Sequence, residues 1–274
     1  MQTLSQIKEV LATRGLAPKK SLGQNFLVDH NLLKRLVDSA NVQAGDLVLE
    51  VGPGTGALTD CLLDADATVI ACELDDGLAD LLLERYADRA ERFSLIRGDC
   101  LASKHQLSPA LHKALDDRTF KLVANLPYGA ASPLMVLLCA HERCLGQFVT
   151  IQREVAQRVM AKPNSRDYSE LSVLVQAMCE VERIATLPPQ CFWPQPKVTS
   201  EMISIVPRDR NLAEFAALES LCHALFTKRR KQLGAILGHD IVWPDGIAPT
   251  MRPEQLTVQQ LTRLARTTTS SKLK

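Results

Sequence analysis

From residue 47 onward, short β-rich runs alternate with segments of helical length, and this alternation constrains the fold more than any other feature of the chain. Leu47–Val51, Thr68–Cys72, Phe93–Arg97, Phe120–Ala124 and Phe148–Ile151 read as strands, from their β-branched and aromatic content between turn residues. Ala57–Leu63, Asp76–Ala87, Pro109–Leu115 and Pro133–Cys144 read as the intervening helices, and Glu154–Ala161 and Glu170–Cys179 follow. Strand, crossover helix and strand at this spacing require right-handed connections, which gives a mostly parallel sheet covered on both faces. Met202–Val206 is a late strand. Beyond Pro207 the pattern is helical, with candidates at Leu212–Phe226, Arg230–Leu237 and Thr257–Ala265, and a frayed tail from about Thr267. The turn V-P-R-D-R-N therefore divides the chain into an α/β domain, 1–206, and a small helical domain, 207–274.

The first strand runs into E-V-G-P-G-T-G-A, residues 50–57. Glycines between a strand and a helix let backbone approach a ligand closely. Gly52, Gly54 and Ala57 satisfy the dinucleotide pattern G-x-G-x-x-G/A, while G-x-G-x-G suits S-adenosylmethionine equally well. The second strand ends at C-E-L-D, where Glu73 can accept hydrogen bonds from both hydroxyls of a ribose. The third ends in R-G-D-C, where Asp99 suits a hydrogen bond to an adenine amine. Three successive strand ends thus carry ligand-binding groups on the edge of the sheet where open α/β folds hold nucleosides.

The fourth strand ends in N-L-P-Y, residues 125–128. An adenine amine is a poor nucleophile because its lone pair is delocalised into the ring. Two acceptors on its N–H groups, the Asn125 side-chain oxygen and a main-chain carbonyl of Leu126 or Pro127, draw the nitrogen toward a tetrahedral geometry. The lone pair is then available to attack a sulfonium methyl. Pro127 stiffens the loop, and Tyr128 offers a face on which the base stacks. A hydride-transferring enzyme has no use for this arrangement, so the nicotinamide reading falls away here.

Composition narrows the remaining classes. No apolar run reaches membrane-spanning length, and the amphipathic N-terminus lacks the features of a signal peptide. The eight cysteines are scattered without C-x-x-C spacing, which argues for a reducing, cytoplasmic setting and against a disulfide framework or a metal site. Net charge is only +1, yet residues 206–274 hold 11 Lys and Arg against 6 Asp and Glu, which hints at a polyanionic partner.

Taken together, N-L-P-Y, the E-V-G-P-G-T-G loop and K-K-S-L-G-Q-N-F-L (19–27) resemble the ribosomal RNA adenine N6,N6-dimethyltransferase family. Agreement continues through Q-R-E-V-A-Q-R (152–158), P-N-S-R-D-Y-S-E-L-S-V (163–173), F-W-P-Q-P-K-V (192–198), F-T-K-R-R-K-Q-L (226–233) and R-P-E-Q-L-T-V-Q-Q-L (252–261). The resemblance implies a Rossmann-like S-adenosylmethionine-dependent methyltransferase fold with an N-terminal cofactor lid and a C-terminal helical RNA-binding domain. It implies that Asn25 and Leu27, with Gly52 and Gly54, contact the methionine part of S-adenosyl-L-methionine. Glu73 would then hold the ribose, and Asp99 and the Cys100 backbone the adenine. Asn125 sits where cofactor and target meet, and Phe192 stacks on the target adenine opposite Tyr128. Lys19, Lys20, Lys228, Arg229, Arg230 and Lys231 would contact RNA phosphates.

The substrate so implied is two adjacent adenosines in the 3′-terminal hairpin of small-subunit rRNA, each methylated twice within an assembling subunit by a cytoplasmic monomer that needs no metal. Gly129, Thr199 and Glu201 depart from the family pattern, which commonly has Asn, a carboxylate and a small residue there. Two other functions remain compatible with the sequence: methylation of large-subunit rRNA, and a ribosome-assembly or nucleic-acid-binding factor that retains the fold.

Overall fold

The computed structural model describes residues 2–127, 129–208, 211–238 and 241–271, with side chains to Thr268. Its centre is a seven-stranded sheet built from β1 (Leu47–Val51), β2 (Thr68–Glu73), β3 (Phe93–Arg97), β4 (Phe120–Asn125), β5 (Cys144–Gln152), β6 (Cys179–Leu187) and β7 (Ser200–Pro207). The spatial order is β3-β2-β1-β4-β5-β7-β6. β1 through β5 pair in parallel, and β7 runs antiparallel to β5. Strand order reverses between β1 and β4, the switch point at which α/β sheets open a ligand crevice. Every residue of β1 is buried, as expected of a central strand covered on both faces.

The crossover helices include α3 (Ala57–Asp64), α4 (Asp76–Arg85), α5 (Pro109–Leu115) and α6 (Ala131–Cys139). Ahead of the sheet come α1 (Leu4–Thr13) and α2 (His30–Ser39). α2 starts where Asp29 accepts the N–H groups of Asn31 and Leu32, a capping geometry worth about 1 kcal/mol. Its Leu33, Leu36 and Val37 join Leu58 and Leu62 of α3 in one core cluster with Val48, Val69 and Val123 of the sheet.

The chain forms two compact units, 1–153 with 182–206, and 154–181 with 207–274. The second unit contains α8 (Glu170–Met178), α9 (Leu212–Phe226) and α11 (Val258–Ser271). α9 buries Phe215, Leu218, Leu221, Cys222 and Leu225, a stripe at helical spacing. Tyr168 donates its hydroxyl to the Leu256 carbonyl at 3.0 Å within the same unit. The helix expected at Arg230–Leu237 begins only at Leu233, and the run Lys228–Lys231 lies in the turn before it. α11 continues past Thr267, where a frayed tail was expected, to Ser271.

Candidate cofactor and substrate site

At the carboxyl ends of β1, β2, β3 and β4 the first unit opens a cavity of about 490 Å³. Its walls come from the segment Lys20–Leu27, the glycine loop 50–55, Cys72–Leu74, Gly98–Leu101, Asn125–Pro127 and Phe192. Asn25, Leu27, Gly52, Gly54, Glu73, Asp99, Cys100, Asn125, Phe192 and Lys20 all line it, so residues distributed over most of the first unit converge on one space. Tyr128 lies outside the described residues.

Two glycines shape this space by what they lack. Gly52 has φ +73°, and a Cβ there would stand 2.9 Å from Pro127 Cγ. Gly54 has φ +61°, and its Cβ would stand 2.8 Å from the Phe26 ring. The first glycine lets the N-L-P loop close down on β1, and the second lets Phe26 of the segment 20–27 do the same. Behind them Tyr86 donates to the Gly56 carbonyl at 2.9 Å and to Asp60 at 2.8 Å, bracing the loop from below.

Glu73 is buried, and its two oxygens accept one main-chain N–H each, from Asp75 at 2.9 Å and Gly54 at 3.2 Å. A carboxylate oxygen has further lone pairs, so the group is fixed in place with acceptor capacity remaining. Burial pushes its carboxyl above the ordinary carboxylate range, against the two N–H donors. Asp99 is exposed at the rim and caps the Leu101 N–H at 2.9 Å. Asn125 donates its side-chain amide to the main-chain oxygen of Asn25 at 3.0 Å. That bond consumes a donor and fixes the amide plane, leaving Oδ1 as the group that can accept from a ligand. Phe192 is only 3% exposed. Paired through backbone with Leu27, it belongs to the core cluster while forming part of the cavity wall.

Residues 15–269 match the family described as Ribosomal RNA adenine dimethylase. The chain belongs to this family. It is 38% identical to Ribosomal RNA small subunit methyltransferase A of Rhodospirillum rubrum, over 96% of this chain and 92% of that one. The protein of the same name from Sulfurihydrogenibium sp. is 34% identical over 91% of this chain and 95% of its own. Among solved structures, a dimethyladenosine transferase from Plasmodium falciparum superposes with a TM-score of 0.70 at 23% identity, covering 87% of this chain and 95% of that one. The 23S rRNA methyltransferase ErmE superposes at 0.63 and 24% identity, covering 89% and 100%. At these identities the two structures share the fold.

In this adenine dimethylase the segment 19–27 on the cavity wall is tied down by a latch that the sequence did not announce. Asp75, the N-cap of α4, receives the Gln24 side-chain amide at 2.9 Å and the Lys19 ammonium at 2.9 Å. Gln24 in turn accepts the Lys19 main-chain N–H at 2.7 Å. Burial alone would raise the Asp75 carboxyl, but Gln24 and Lys19 outweigh it and hold it below the ordinary range. Because Asp75 also gives its N–H to Glu73, this segment is joined to the strand end that carries the buried acid. Lys19 is therefore engaged in the latch, whereas Lys20 lines the cavity. Lys19→Met is expected to raise the dissociation constant for S-adenosylmethionine several-fold while leaving the salt dependence of RNA binding unchanged. Loss of a phosphate contact would instead reduce the salt slope by about 0.7–1. Calorimetry with the cofactor and salt titration with RNA separate the two.

Glu50 on β1 is fully buried beneath the glycine loop and accepts the Thr59 hydroxyl at 2.7 Å. Burial pushes its carboxyl up to about 8; the Thr59 bond opposes this, and the charges of Asp60 and Glu73 add to it. The folded protein thus holds a proton that the unfolded chain releases near the ordinary 4.5. Its contribution to stability is fully present below that value and is lost as pH rises toward about 8. Glu50→Gln keeps an acceptor for Thr59 and removes the titration. Thermal unfolding at a series of pH values should show the variant gaining on the wild type as pH rises. At the alkaline end the advantage should be on the order of 2–4 kcal/mol. Parallel pH profiles would contradict the assignment.

The basic run in the second unit is split. Arg229 gives Nε to Glu254 at 2.6 Å and its terminal nitrogens to the carbonyls of Arg166 and Ser165 at 2.7 and 2.9 Å. Lys228, Arg230 and Lys231 are exposed. Sequence reasoning also passed over Leu74, a half-exposed leucine on the cavity wall. It missed Thr55 as well, whose buried hydroxyl at the wall has no hydrogen-bond partner among the described residues.

Proposed function

We propose that this protein transfers methyl groups from S-adenosylmethionine to the N6 amines of two adjacent adenosines in small-subunit rRNA. The observation that carries the reading is the Asn125 amide, one of whose two N–H donors is held by the Asn25 carbonyl so that its oxygen is oriented for an incoming amine. The donor set fits the cofactor. Glu73 offers fixed acceptors for ribose hydroxyls, Thr55 a hydroxyl unpaired among the described residues, Asp99 an acceptor for an adenine amine, and the Asn25–Leu27 lid a cover. When bound, the cofactor supplies an electrophilic sulfonium methyl group.

The chain's own residues act on the nucleophile. Asn125 Oδ1 and a carbonyl of the Leu126-Pro127 loop accept the two amine hydrogens and pull electron density onto nitrogen. Once the nitrogen carries the methyl group it becomes acidic, and its proton leaves to solvent without a strong base. An adenine can enter only after leaving its stack, which is cheapest in an RNA loop. Phe192 supports the reading as a wall for the base. Lys20, with Lys228, Arg230 and Lys231 of the helical unit, supplies phosphate contacts that position the RNA. The protein acts on the small subunit before assembly is complete, in the cytoplasm, as a monomer and without a metal.

The names of the relatives favour the small subunit over the large one. Labelled S-adenosylmethionine offered with unmethylated small subunits, mature small subunits and large subunits tests this. Incorporation should be confined to the unmethylated small subunits. Incorporation into large subunits alone would replace the reading with its nearest competitor.

A further inference from the structure

Glu201 lies in β7, is 1% exposed, and stands between two arginines. Its carboxylate meets Arg183 Nε at 3.0 Å and Arg153 Nε at 3.5 Å. Burying a carboxylate requires one compensating charge. Here it has two, and the arginine side chains remain 55% and 52% exposed. The cluster carries one net positive charge, and it presents that charge outward on arginines anchored from within.

The backbone fixes its position. The Arg153 N–H donates to the Thr199 carbonyl at 3.0 Å, which pins Arg153 at the end of β5 beside the start of β7. Asn125 pairs with Thr150 across β4 and β5, and Glu201 pairs with Ile151 across β5 and β7. Glu201 is therefore two strands from Asn125, roughly 10 Å between backbones at a strand spacing of about 4.8 Å, on the same carboxyl edge of the sheet but with its side chain toward the opposite face. Of the two arginines, Arg153 follows directly on the last residue of β5 and opens the next helix, Arg153–Val159, and Arg183 lies in β6, next to β7.

We propose that Arg153 and Arg183, held by Glu201, form a phosphate-binding station for the RNA strand that flanks the target adenosine. This rests on the reading of the Asn125 cavity as an RNA adenine site and adds to it a contact on the α/β unit. Guanidinium groups suit phosphate because they are planar and always charged. Their anchorage on a helix start and a strand rather than on loops sets the distance between the gripped phosphate and the amine pocket. The station carries no sequence information. It sets register, so that the base beside the held phosphate is the one that enters the cavity.

The test is a salt titration of binding to unmethylated small ribosomal subunits, with wild type alongside Arg153→Gln/Arg183→Gln/Glu201→Gln. The triple variant removes all three charges and leaves no buried ion unpaired. Its cofactor affinity should match wild type, which shows that the fold and the cavity are intact. Its log–log salt slope should be shallower by about 0.7–1, the loss of the one phosphate contact that the cluster's single net charge supplies. The KM for subunits should rise while kcat changes little. A slope equal to wild type in a variant that still binds the cofactor would overturn the proposal. Should the triple variant fail to bind the cofactor, Arg183→Gln alone, which leaves Arg153 on Glu201, must show a slope reduced by about 0.7–1, and an unchanged slope is equally fatal. Failure of the wild type itself to methylate these subunits would instead refute the functional reading on which the station rests.

Discussion

Asn125→Ala should reduce methyl transfer by about 10²- to 10³-fold, the scale on which one preorganised polar group at a reacting centre is worth 2.7–4 kcal/mol. The reason lies in the geometry of the side chain. Its amide hydrogen is committed to Asn25 at 3.0 Å, so its oxygen is held rather than free to rotate away. Alanine removes both the acceptor and the tie to Asn25. Because Glu73, Asp99 and the glycine loop are untouched, cofactor affinity should change far less than the rate. RNA affinity, set by cations elsewhere, should hardly change. Single-turnover rates measured beside both dissociation constants check this. A rate near wild type would remove the amine-grip account, and a rate loss matched by lost cofactor affinity would assign Asn125 to binding alone.

Gly52→Val should be almost as damaging, by another route. A β-branched residue at φ +73° is strained by about 1–2 kcal/mol. Its Cβ would also sit 2.9 Å from Pro127 Cγ and 3.2 Å from Cδ, an overpacking that costs about 1–3 kcal/mol. The loop that presents Asn125 must shift, so cofactor binding and transfer should fall together, by about 100-fold or more in kcat/KM. Gly129 is the internal control, since a Cβ there meets nothing within 4 Å among the described residues. Gly129→Asn, which restores the residue common in the family, should retain nearly full activity. Calorimetry with S-adenosylmethionine and a thermal melt of each variant distinguish local displacement from general unfolding. Equal affinities for Gly52→Val and wild type would show that the Gly52–Pro127 contact is dispensable.

The parts of the site that were legible in sequence are those that each strand carries at its own end. Glu73 and Asn125 terminate their strands and Asp99 follows two residues after the end of β3, and a parallel sheet must bring such ends to one edge. The Asp75 latch was not legible, because Gln24 and Asp75 are 51 positions apart and neither residue type demands the other. β6 was also missed. Its sequence C-E-V-E-R-I-A-T-L follows a helix without a breaker, and as an edge strand much of its length is exposed, so no buried run marks it. Arg229 belonged by composition to a basic run. Only the fold shows that Glu254 and two carbonyls already hold it. Glu201 stood out as a departure from the family pattern, yet its arginine partners became visible only once β5, β6 and β7 were side by side.

The most direct test of the central claim is the identity and position of the modified nucleoside. Unmethylated small subunits treated with the protein and S-adenosylmethionine would be digested, and the nucleosides separated by mass spectrometry. Primer extension on the same RNA would locate them. The account requires N6,N6-dimethyladenosine at two neighbouring positions of the 3′-terminal hairpin, in a ratio of four methyl groups per subunit at completion. Methylation on another atom or another base would contradict it, because the proposed role of Asn125 is to grip an exocyclic amine.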